Sequence, residues 1–325
     1  MITYRRTTAL LGASMLLAVG VTAVTAVVPS SPAAAAPMGS ASSGTWTTTR
    51  VTGPARTLVK DGTGTVRATF TDGSRSVVLV AATRRFAEPS TTSATVTTSA
   101  WVRLLAAPFA GNVDLAWVQA RLADSSPDVL AHALAYTTGA PEVLDGSGAH
   151  LSADASYGPV VDGARQEGSD WNDYYGVTAT YGSQTDAPEA AQFRAVDCSG
   201  YVRIVFGHRG GLPMTLTSDG VRLPRRAVQM ADSAPGTLVV PNRGSQVTSF
   251  GTLLAGDLVL FDASTDDGTA VDHVGIYLGK DSAGRHRFVS SRKTADGPTM
   301  GDVGGGSRLD GTGLYATSFR SVRRL

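Results

Sequence analysis

The chain contains a single cysteine, Cys198, so no disulfide bond can form within it. A fold without disulfides depends on a buried apolar core, which very short chains often cannot supply. This chain has 325 residues, 42% of them hydrophobic and 17% charged, which is ordinary for globular proteins and allows two small domains. We therefore expect a packed globular fold whose one thiol is either buried and inert or retained for its reactivity.

The amino-terminal residues have the pattern of an export signal. Arg5 and Arg6 precede a nearly uncharged apolar run over residues 9–28, and small residues follow over 32–36. This order is typical of a cleaved signal peptide. An uncleaved membrane anchor is the alternative, because the apolar run is close to the length that spans a bilayer.

Cleavage after Ala35 fits an Ala-x-Ala site, which favours export over anchoring. We predict a signal peptide over 1–36 and a flexible linker over 37–48, where Ser, Gly, Thr and Ala predominate. The mature protein is then expected to be secreted, with no stable insertion in a membrane.

Residues 49–150 are predicted to form a small amino-terminal domain of mixed β and α character. Apolar and β-branched residues over 66–70 and 77–80 flank an Asp72-Gly73 turn, which predicts a β-hairpin. The stretch 95–105 predicts a further strand or strand pair.

Two helices are predicted next, because apolar residues share one face in each: Leu115, Val118 and Leu122 in the first, and Val129, Leu130, Ala133 and Leu134 in the second. For the second helix we expect Ser126 as the N-cap, Pro127 at the first position and Gly139 at the end. This half of the chain contains no motif that indicates a function.

The sharpest local pattern surrounds the cysteine, over residues 196–207. Asp197 is suited to cap the start of a helix, and Gly207 is suited to end it. Cys198 would then lie in the first turn, where unpaired main-chain N–H groups favour the thiolate. The same groups can receive the oxyanion of a tetrahedral intermediate. The alternative is a small buried helix residue without a chemical role.

A second pattern, over residues 271–278, alternates as a β-strand does. His273, Gly275 and Tyr277 fall on one face, and apolar residues occupy the other. An imidazole on a rigid strand is well placed to act as the base for a cysteine at a helix start. A purely structural histidine is the alternative. The segment at 256–261 predicts a neighbouring strand of the same sheet.

Three segments in this order, 197–200 (Asp-Cys-Ser-Gly), 256–261 and 272–277, resemble the signatures of the NlpC/P60 family. Members of this family are papain-like cysteine peptidases that cut the stem peptides of bacterial cell walls. The resemblance extends over roughly 170–325. It implies Cys198 as the nucleophile, His273 as the general base, and bonds next to D-glutamate as the target.

The resemblance also implies the fold class and the partner. We expect an α+β, papain-like catalytic domain over 153–325, in which the helix bearing the cysteine packs on an antiparallel sheet. Peptidoglycan stem peptides are the expected partner, and a secreted or cell-wall-associated bacterial protein is the expected location. The oligomeric state is not indicated by the sequence.

The residue that orients the base in this family lies on the strand after the histidine strand and is often His, Asn or Gln. The corresponding stretch here, 287–292, has Ser290 at that position. A serine hydroxyl orients an imidazole less strongly than a carboxylate or an amide does. His286 and a main-chain carbonyl group are the alternatives.

The family often has a tyrosine ahead of the cysteine that holds the substrate. Tyr174, Tyr175 and Tyr181 compete for that position, and spacing does not choose among them. For each of them a packing role is the alternative, and it is the one that we favour. Our predicted substrate-binding set is Tyr175, together with Asp197 and Ser199, which flank the nucleophile.

An insertion over about 210–246 separates the cysteine from the histidine and carries Arg222, Arg225 and Arg226. Arginines here can bind substrate carboxylates through paired contacts. A solvated surface loop is the alternative, and it is the interpretation that we favour.

Several functional classes are disfavoured. The net charge of +1 argues against nucleic acid as a partner. Asp266-Asp267-Gly268 reads as a turn rather than a calcium loop, and the scattered histidines do not indicate zinc. We expect no metal and no organic cofactor. The alternatives to a peptidase are an amidase or acyltransferase on the same scaffold, and a degenerate protein that binds the wall without cutting it.

Overall fold

The computed structural model of the protein describes residues 45–264 and 266–325. The predicted signal peptide, 1–36, and most of the predicted linker, 37–48, lie outside the described residues. Within the two described stretches, no helix has both the length and the apolar character needed to cross a bilayer.

The first part of the described chain is an antiparallel sheet of five strands in chain order: β1 (Thr47–Val51), β2 (Arg56–Lys60), β3 (Val66–Thr71), β4 (Ser76–Ala87) and β5 (Thr95–Leu104). The predicted hairpin is confirmed, because β3 pairs with β4 and places Thr69 opposite Val78. Gly73, in the turn between them, has a φ of +76°, a conformation that favours glycine. The strand predicted over 95–105 is confirmed as β5.

Both predicted helices are present, as α1 (Leu115–Ala123) and α2 (Val129–Leu134). The first contacts β4 and helps to cover one face of the sheet, where apolar side chains form a cluster. Its buried members are Val59, Ala68, Phe70, Val77, Leu79, Phe109 and Val118.

The predicted ends of α2 are wrong. Its N-cap is Asp128 rather than Ser126, and the Asp128 carboxylate accepts a hydrogen bond from Ala131 N at 3.0 Å. The same carboxylate binds Arg84 and the main-chain nitrogen of Val102, so contacts with the sheet hold it at the helix start. The helix ends at Leu134, before Gly139.

A loop-rich region follows and contains short elements: β6 (Val143–Leu144), β7 (His150–Ser152), β8 (Val160–Val161), β9 (Ala164–Arg165), α3 (Trp171–Tyr175), β10 (Ala179–Tyr181), β11 (Gln184–Asp186) and a single 3₁₀ turn (Ala190–Gln192). The strands pair as three small hairpins, β6 with β7, β8 with β9 and β10 with β11.

The second half contains three helices and a second sheet. The elements are α4 (Cys198–Val202), a π-helical segment (Arg203–His208), α5 (Ala227–Ser233), β12 (Thr237–Val240), β13 (Leu258–Phe261), β14 (His273–Lys280), β15 (His286–Arg292), β16 (Gly297–Thr299), α6 (Leu314–Thr317) and β17 (Phe319–Arg324). The sheet is antiparallel, in the order β12-β17-β13-β14-β15-β16. Helix α4 packs on β14 and β15.

Gly207 does not end the helix that begins at Cys198, contrary to the prediction. The chain continues through the π-helical segment, and Arg209 N donates to Ile204 O at 2.9 Å. A Cβ atom at position 207 would lie 2.2 Å from the sulfur of Met214. The glycine is therefore required for close packing and not for helix termination.

The two halves share one apolar core. Val96 and Val102 of β5 belong to the same buried cluster as Ile276 and Leu278 of β14. The described residues accordingly lie within one compact unit.

Polar contacts near the carboxyl terminus add to this connection. The guanidinium of Arg324 donates to both oxygens of Asp257 at 2.7 Å and to Thr71 Oγ1 at 2.7 Å. Ser76 N donates to the main-chain oxygen of Leu325 at 2.6 Å. The boundary between 49–150 and 153–325 stays a prediction, and the contacts of Arg324 with Thr71 and of Ser76 with Leu325 cross it.

The predicted fold class agrees with this architecture at a coarse level. A mixed helical and antiparallel-sheet region bears the cysteine helix, and an amino-terminal sheet precedes it. The papain-like details of the predicted fold stay a prediction.

Candidate active site

The Cys198 thiol lies at the first residue of α4, and Asp197 caps the helix as predicted. Asp197 Oδ1 accepts from Gly200 N at 2.7 Å and from Ser199 Oγ at 3.1 Å. A Cβ at position 200 would lie 2.4 Å from Ser169 O, so only glycine lets the segment before α3 approach the helix this closely. The short α4 is thereby fixed against residues 168–170.

The imidazole of His273 lies at the start of β14 and is held by the neighbouring strand. Its Nε2 atom lies 3.1 Å from the hydroxyl oxygen of Ser290 on β15. Gly275, two residues along the same face, would place a Cβ 2.7 Å from the ring of Phe288, so a larger residue would displace the two strands. Ser290 therefore occupies the position that we predicted for the residue that orients the base.

The Cys198 sulfur lies against the main chain on both sides of His273. Sγ donates to the main-chain oxygen of Asp272 at 3.8 Å, and the N–H of Val274 donates to the sulfur. Nε2 is the ring nitrogen that faces Ser290, and His273 Nδ1 has no hydrogen-bond partner among the described residues. Nδ1 is thus the ring nitrogen that Ser290 leaves free.

The ionisation of this pair is set by burial. Desolvation raises the pKa of the Cys198 thiol, and the adjacent Asp197 carboxylate raises it further, whereas the Val274 N–H and Arg225 lower it. Burial lowers the pKa of His273 to about 3, and Arg292 acts in the same direction. The resting pair is therefore a neutral thiol and a neutral imidazole. Burial and Asp197 thus oppose the stabilised thiolate that we expected at the start of α4, a helix of only five residues.

Aromatic rings enclose the other faces of the imidazole. The centroid of His273 lies 4.8 Å from that of Tyr315 and 5.8 Å from that of Phe261. The guanidinium of Arg292 lies 5.5 Å from the centroid of Tyr315, on which it forms a cation–π contact. This apolar enclosure is the source of the desolvation that keeps His273 neutral.

A cavity of about 640 Å³ opens beside the thiol. Cys198, Asp197 and Ser199 line one part of it, and Arg226, Val271 and Asp272 line others. Because it adjoins the sulfur and carries polar and apolar walls, it has the properties of a substrate site.

Tyr175 does not line this cavity. Its hydroxyl donates to Leu151 O at 2.7 Å and lies 2.6 Å from the hydroxyl of Tyr136, and its ring packs on His208. The structure therefore places it in a packing contact, away from the cysteine pocket that we predicted for it. Tyr174 and Tyr181 are buried in comparable contacts.

Tyr157 lines the cavity instead, and the sequence did not indicate it. Its main-chain N–H donates to Asp296 Oδ1 at 3.2 Å, which anchors its loop to the second half of the chain. Its hydroxyl forms no hydrogen bond with another described residue. No local pattern at 155–157 indicates this placement, because a contact with residue 296 produces it.

The arginines of the 210–246 insertion differ in their surroundings. Arg222 is paired with its neighbour Asp219 at 2.6 Å, as expected for a surface loop. Arg225 is largely buried and forms ion pairs with Asp197 and Asp170, so the surface-loop interpretation is wrong for this residue. Arg226 is exposed and lines the cavity.

His286, the alternative for the orienting residue, lies away from His273. It pairs with Lys280 at the opposite end of β14. Its Nδ1 atom lies 2.6 Å from the hydroxyl of Tyr277, and its ring stacks on Phe250.

Three carboxylates cluster near the cavity, those of Asp262, Asp267 and Asp272, with oxygens within 4.8 Å of one another. Asp262 is paired with Arg320, and Asp272 Oδ2 accepts from the N–H groups of Ala263 and Ser264. Protein donors thus satisfy two of the three side chains, and we assign the cluster no ligand.

One family profile matches the part of the chain that contains these residues. Residues 176–296 match the sequence profile of the NlpC/P60 family, and this stretch contains Cys198, His273 and Ser290. No curated protein matches the chain.

Two solved structures are similar to parts of the chain. One is a lipoprotein-like NLP/P60 family protein from Staphylococcus aureus, at 20% identity over 65% of this chain and 47% of that one, with a TM-score of 0.29. The other is an NlpC/P60 family protein from Bacillus cereus, at 14% identity over 86% of this chain and 78% of that one, with a TM-score of 0.27. The chain thus spans about half the length of the Staphylococcus aureus protein.

The profile covers the stretch from the turn after α3 to the loop after β15, and the predicted nucleophile and base lie within it on adjoining elements. Residues 176–296 are thus similar to the NlpC/P60 family, whose members are generally cysteine peptidases that act on the bacterial cell wall.

Proposed function

We propose that the protein is a secreted cysteine endopeptidase that hydrolyses amide bonds in peptidoglycan stem peptides. The observation that carries the proposal is the position of the Cys198 sulfur, which contacts the main chain on both sides of His273 at the edge of a cavity. The bond next to D-glutamate is the proposed point of cleavage, by resemblance to the family.

In the proposed mechanism, the first step forms a thioester. His273 Nδ1 takes the proton of Cys198 while the sulfur attacks the carbonyl carbon of the scissile amide. The main-chain N–H groups of Cys198 and Ser199 have no acceptor among the described residues, and they support the developing oxyanion. The imidazolium then gives its proton to the nitrogen of the leaving amine, and the C–N bond breaks.

The second step hydrolyses the thioester. His273 takes a proton from water as the water oxygen attacks the thioester carbon, and the carboxylic product leaves as the thiol regains a proton. Ser290 is the proposed positioning residue, because its hydroxyl holds the Nε2 side of the ring and leaves Nδ1 directed away from β15.

Incubation of purified peptidoglycan with the wild type and with Cys198→Ala, followed by mass spectrometry of the fragments, tests the proposal. We expect new peptide ends next to D-glutamate from the wild type alone. Matched circular dichroism of the two proteins controls for folding. Cleavage that persists in a folded Cys198→Ala protein would exclude the nucleophile assignment.

A degenerate protein that binds the wall without cutting it is the second candidate. The neutral, buried thiol–imidazole pair favours it, as does the weak hydrogen-bonding group at Ser290. Pull-down with insoluble peptidoglycan, combined with an absence of cleavage by the wild type, is the result expected for this candidate.

The export assignment rests on the sequence alone. Expression in a bacterial host with secretion, followed by sequencing of the mature amino terminus, tests it. A first residue of Ala36 or Pro37 agrees with cleavage of the signal peptide, and retention of Met1 in the membrane fraction contradicts it.

A further inference from the structure

Arg225 joins three segments of the chain at the start of α4. Its Nη1 atom donates to Asp197 Oδ1 at 3.1 Å and to Ser199 Oγ at 2.8 Å. Its Nη2 atom donates to Asp197 Oδ2 at 2.8 Å and to Gly168 O at 2.7 Å. Its Nε atom lies 3.4 Å from Asp170 Oδ2. The guanidinium therefore contacts both residues that flank the cysteine.

These contacts complete the coordination of the Asp197 carboxylate. Its two oxygens accept five hydrogen bonds, two of them from Arg225 and the others from Gly168, Ser199 and Gly200. A carboxylate accommodates about four such donors at its lone pairs, so Asp197 has no vacant position for a substrate group. Burial alone would raise the pKa of Asp197, but Arg225 and the main-chain donors lower it, so the side chain is ionised.

An ionised carboxylate beside the nucleophile opposes formation of a thiolate. Asp197 raises the pKa of Cys198, and Arg225 lowers it. The other titratable groups that act electrostatically on the thiol are Glu167, Tyr157 and Tyr315, and Arg225 is the cation that pairs directly with Asp197, at 2.8 Å. Without Arg225, the buried charge of Asp197 would act on the sulfur uncompensated.

We propose that Arg225 is a positioning residue for the nucleophile, which fixes Asp197 and Ser199 on either side of Cys198 and offsets the carboxylate charge beside the sulfur. The inference uses the proposed role of Cys198, but its test does not require turnover. It also assigns a task to the insertion over 210–246, which supplies this guanidinium to the site.

Alkylation of Cys198 by iodoacetamide measures the effect directly, because the protein has no other thiol and mass spectrometry reports one site. The rate is followed from pH 6 to pH 10 for the wild type, Arg225→Met, Arg225→Lys and the double variant Asp197→Asn/Arg225→Met. Arg222→Met is the matched control, since Arg222 lies in the same insertion but pairs only with Asp219.

We expect alkylation at pH 8 to be about tenfold slower in Arg225→Met and to return to within about threefold of the wild type in the double variant, because a tenfold change corresponds to one unit of thiol pKa. Arg225→Lys keeps the positive charge, so its alkylation rate should lie between those of Arg225→Met and the wild type. Arg222→Met should match the wild type.

The double variant separates this effect from a purely structural role. If Arg225 only supported the fold, both Arg225 variants would lose thermal stability, and adding Asp197→Asn to Arg225→Met would not restore the alkylation rate. Folded Arg225→Met that is alkylated at the wild-type rate overturns the inference. If Arg225→Met does not fold, Arg225→Lys decides the question. An alkylation rate equal to that of the wild type from pH 6 to pH 10, together with an unchanged kcat, then overturns the inference. Failure of wall cleavage in all variants, with the alkylation pattern as expected, contradicts the proposed function and leaves the inference intact.

Discussion

The hydroxyl of Ser290 lies 3.1 Å from Nε2 of His273, and both side chains are buried between adjacent strands. The contact leaves Nδ1 for the thiol and accounts for the orientation of the ring. Serine forms one hydrogen bond here where a family member with an amide or a second imidazole has a stronger partner.

Replacement of Ser290 by alanine is expected to lower kcat about tenfold with little change in KM, since one neutral hydrogen bond contributes about 1 kcal/mol and the substrate does not contact this side chain. Ser290→Asn, which restores an acceptor, should recover at least the wild-type kcat. Steady-state kinetics on a defined stem peptide provide the measurement. Equal kcat values in wild type and Ser290→Ala would remove Ser290 from the mechanism.

The low pKa of His273 predicts acid sensitivity of the fold. The group titrates at about 3 in the folded protein against an ordinary value of 6.5, so the unfolded chain binds the proton more tightly. The contribution of neutral His273 to the free energy of unfolding is then fully present above about pH 6.5 and is lost as the pH falls towards 3. Between pH 7 and pH 4 the loss from this group is about 3 kcal/mol.

Urea unfolding of the wild type and of His273→Gln at several pH values measures this contribution as the difference between the two proteins. His132, whose pKa burial lowers to about 4, contributes equally to both and cancels. A difference in unfolding free energy that stays constant from pH 7 to pH 4 would contradict the neutral, buried state of His273.

The chemistry of the site was predictable from sequence to the extent that it is local. The cap at Asp197, the helix-start cysteine and the strand histidine lie within short segments whose patterns indicate their structure, and the resemblance to the NlpC/P60 family indicated Ser290 on the next strand. Tyr157 and Arg225 were not predictable in their roles, because residues distant in sequence decide where their side chains lie.

The errors in the helix ends have the same cause. Asp128 caps α2 because Arg84 and Val102 N hold its carboxylate, and these partners lie 44 and 26 residues away. Gly207 is a packing residue because Met214 lies over it. Local propensity favours Ser126-Pro127 and a terminal glycine, and tertiary contacts override it.

The buried ion pair between Arg324 and Asp257 is predicted to stabilise the fold and to hold the guanidinium that contacts Thr71 in the first half. Both side chains are buried, at 1% exposure each, so Arg324→Met leaves an unpaired carboxylate in the core. We expect a loss of about 3–5 kcal/mol in the free energy of unfolding. The double variant Asp257→Leu/Arg324→Met should recover much of it, and urea titration distinguishes the two. No loss in Arg324→Met would show that this contact does not stabilise the fold.

Tyr157 and Tyr175 provide a matched pair for the substrate site. Tyr157 lines the cavity and its hydroxyl has no partner among the described residues, whereas the Tyr175 hydroxyl contacts Leu151 O and Tyr136. Removal of a hydroxyl that binds substrate weakens binding by about 0.5–1.5 kcal/mol, so Tyr157→Phe should raise KM roughly threefold to tenfold with kcat unchanged.

Tyr175→Phe should instead leave kcat and KM at wild-type values and lower the free energy of unfolding by about 1 kcal/mol, because it breaks internal hydrogen bonds only. The two variants differ from the wild type by the same single atom, so their contrast reports position rather than chemistry. A raised KM in Tyr175→Phe with none in Tyr157→Phe would return the substrate site to the tyrosine indicated by sequence, and would mean that the cavity beside Cys198 is not where the stem peptide binds.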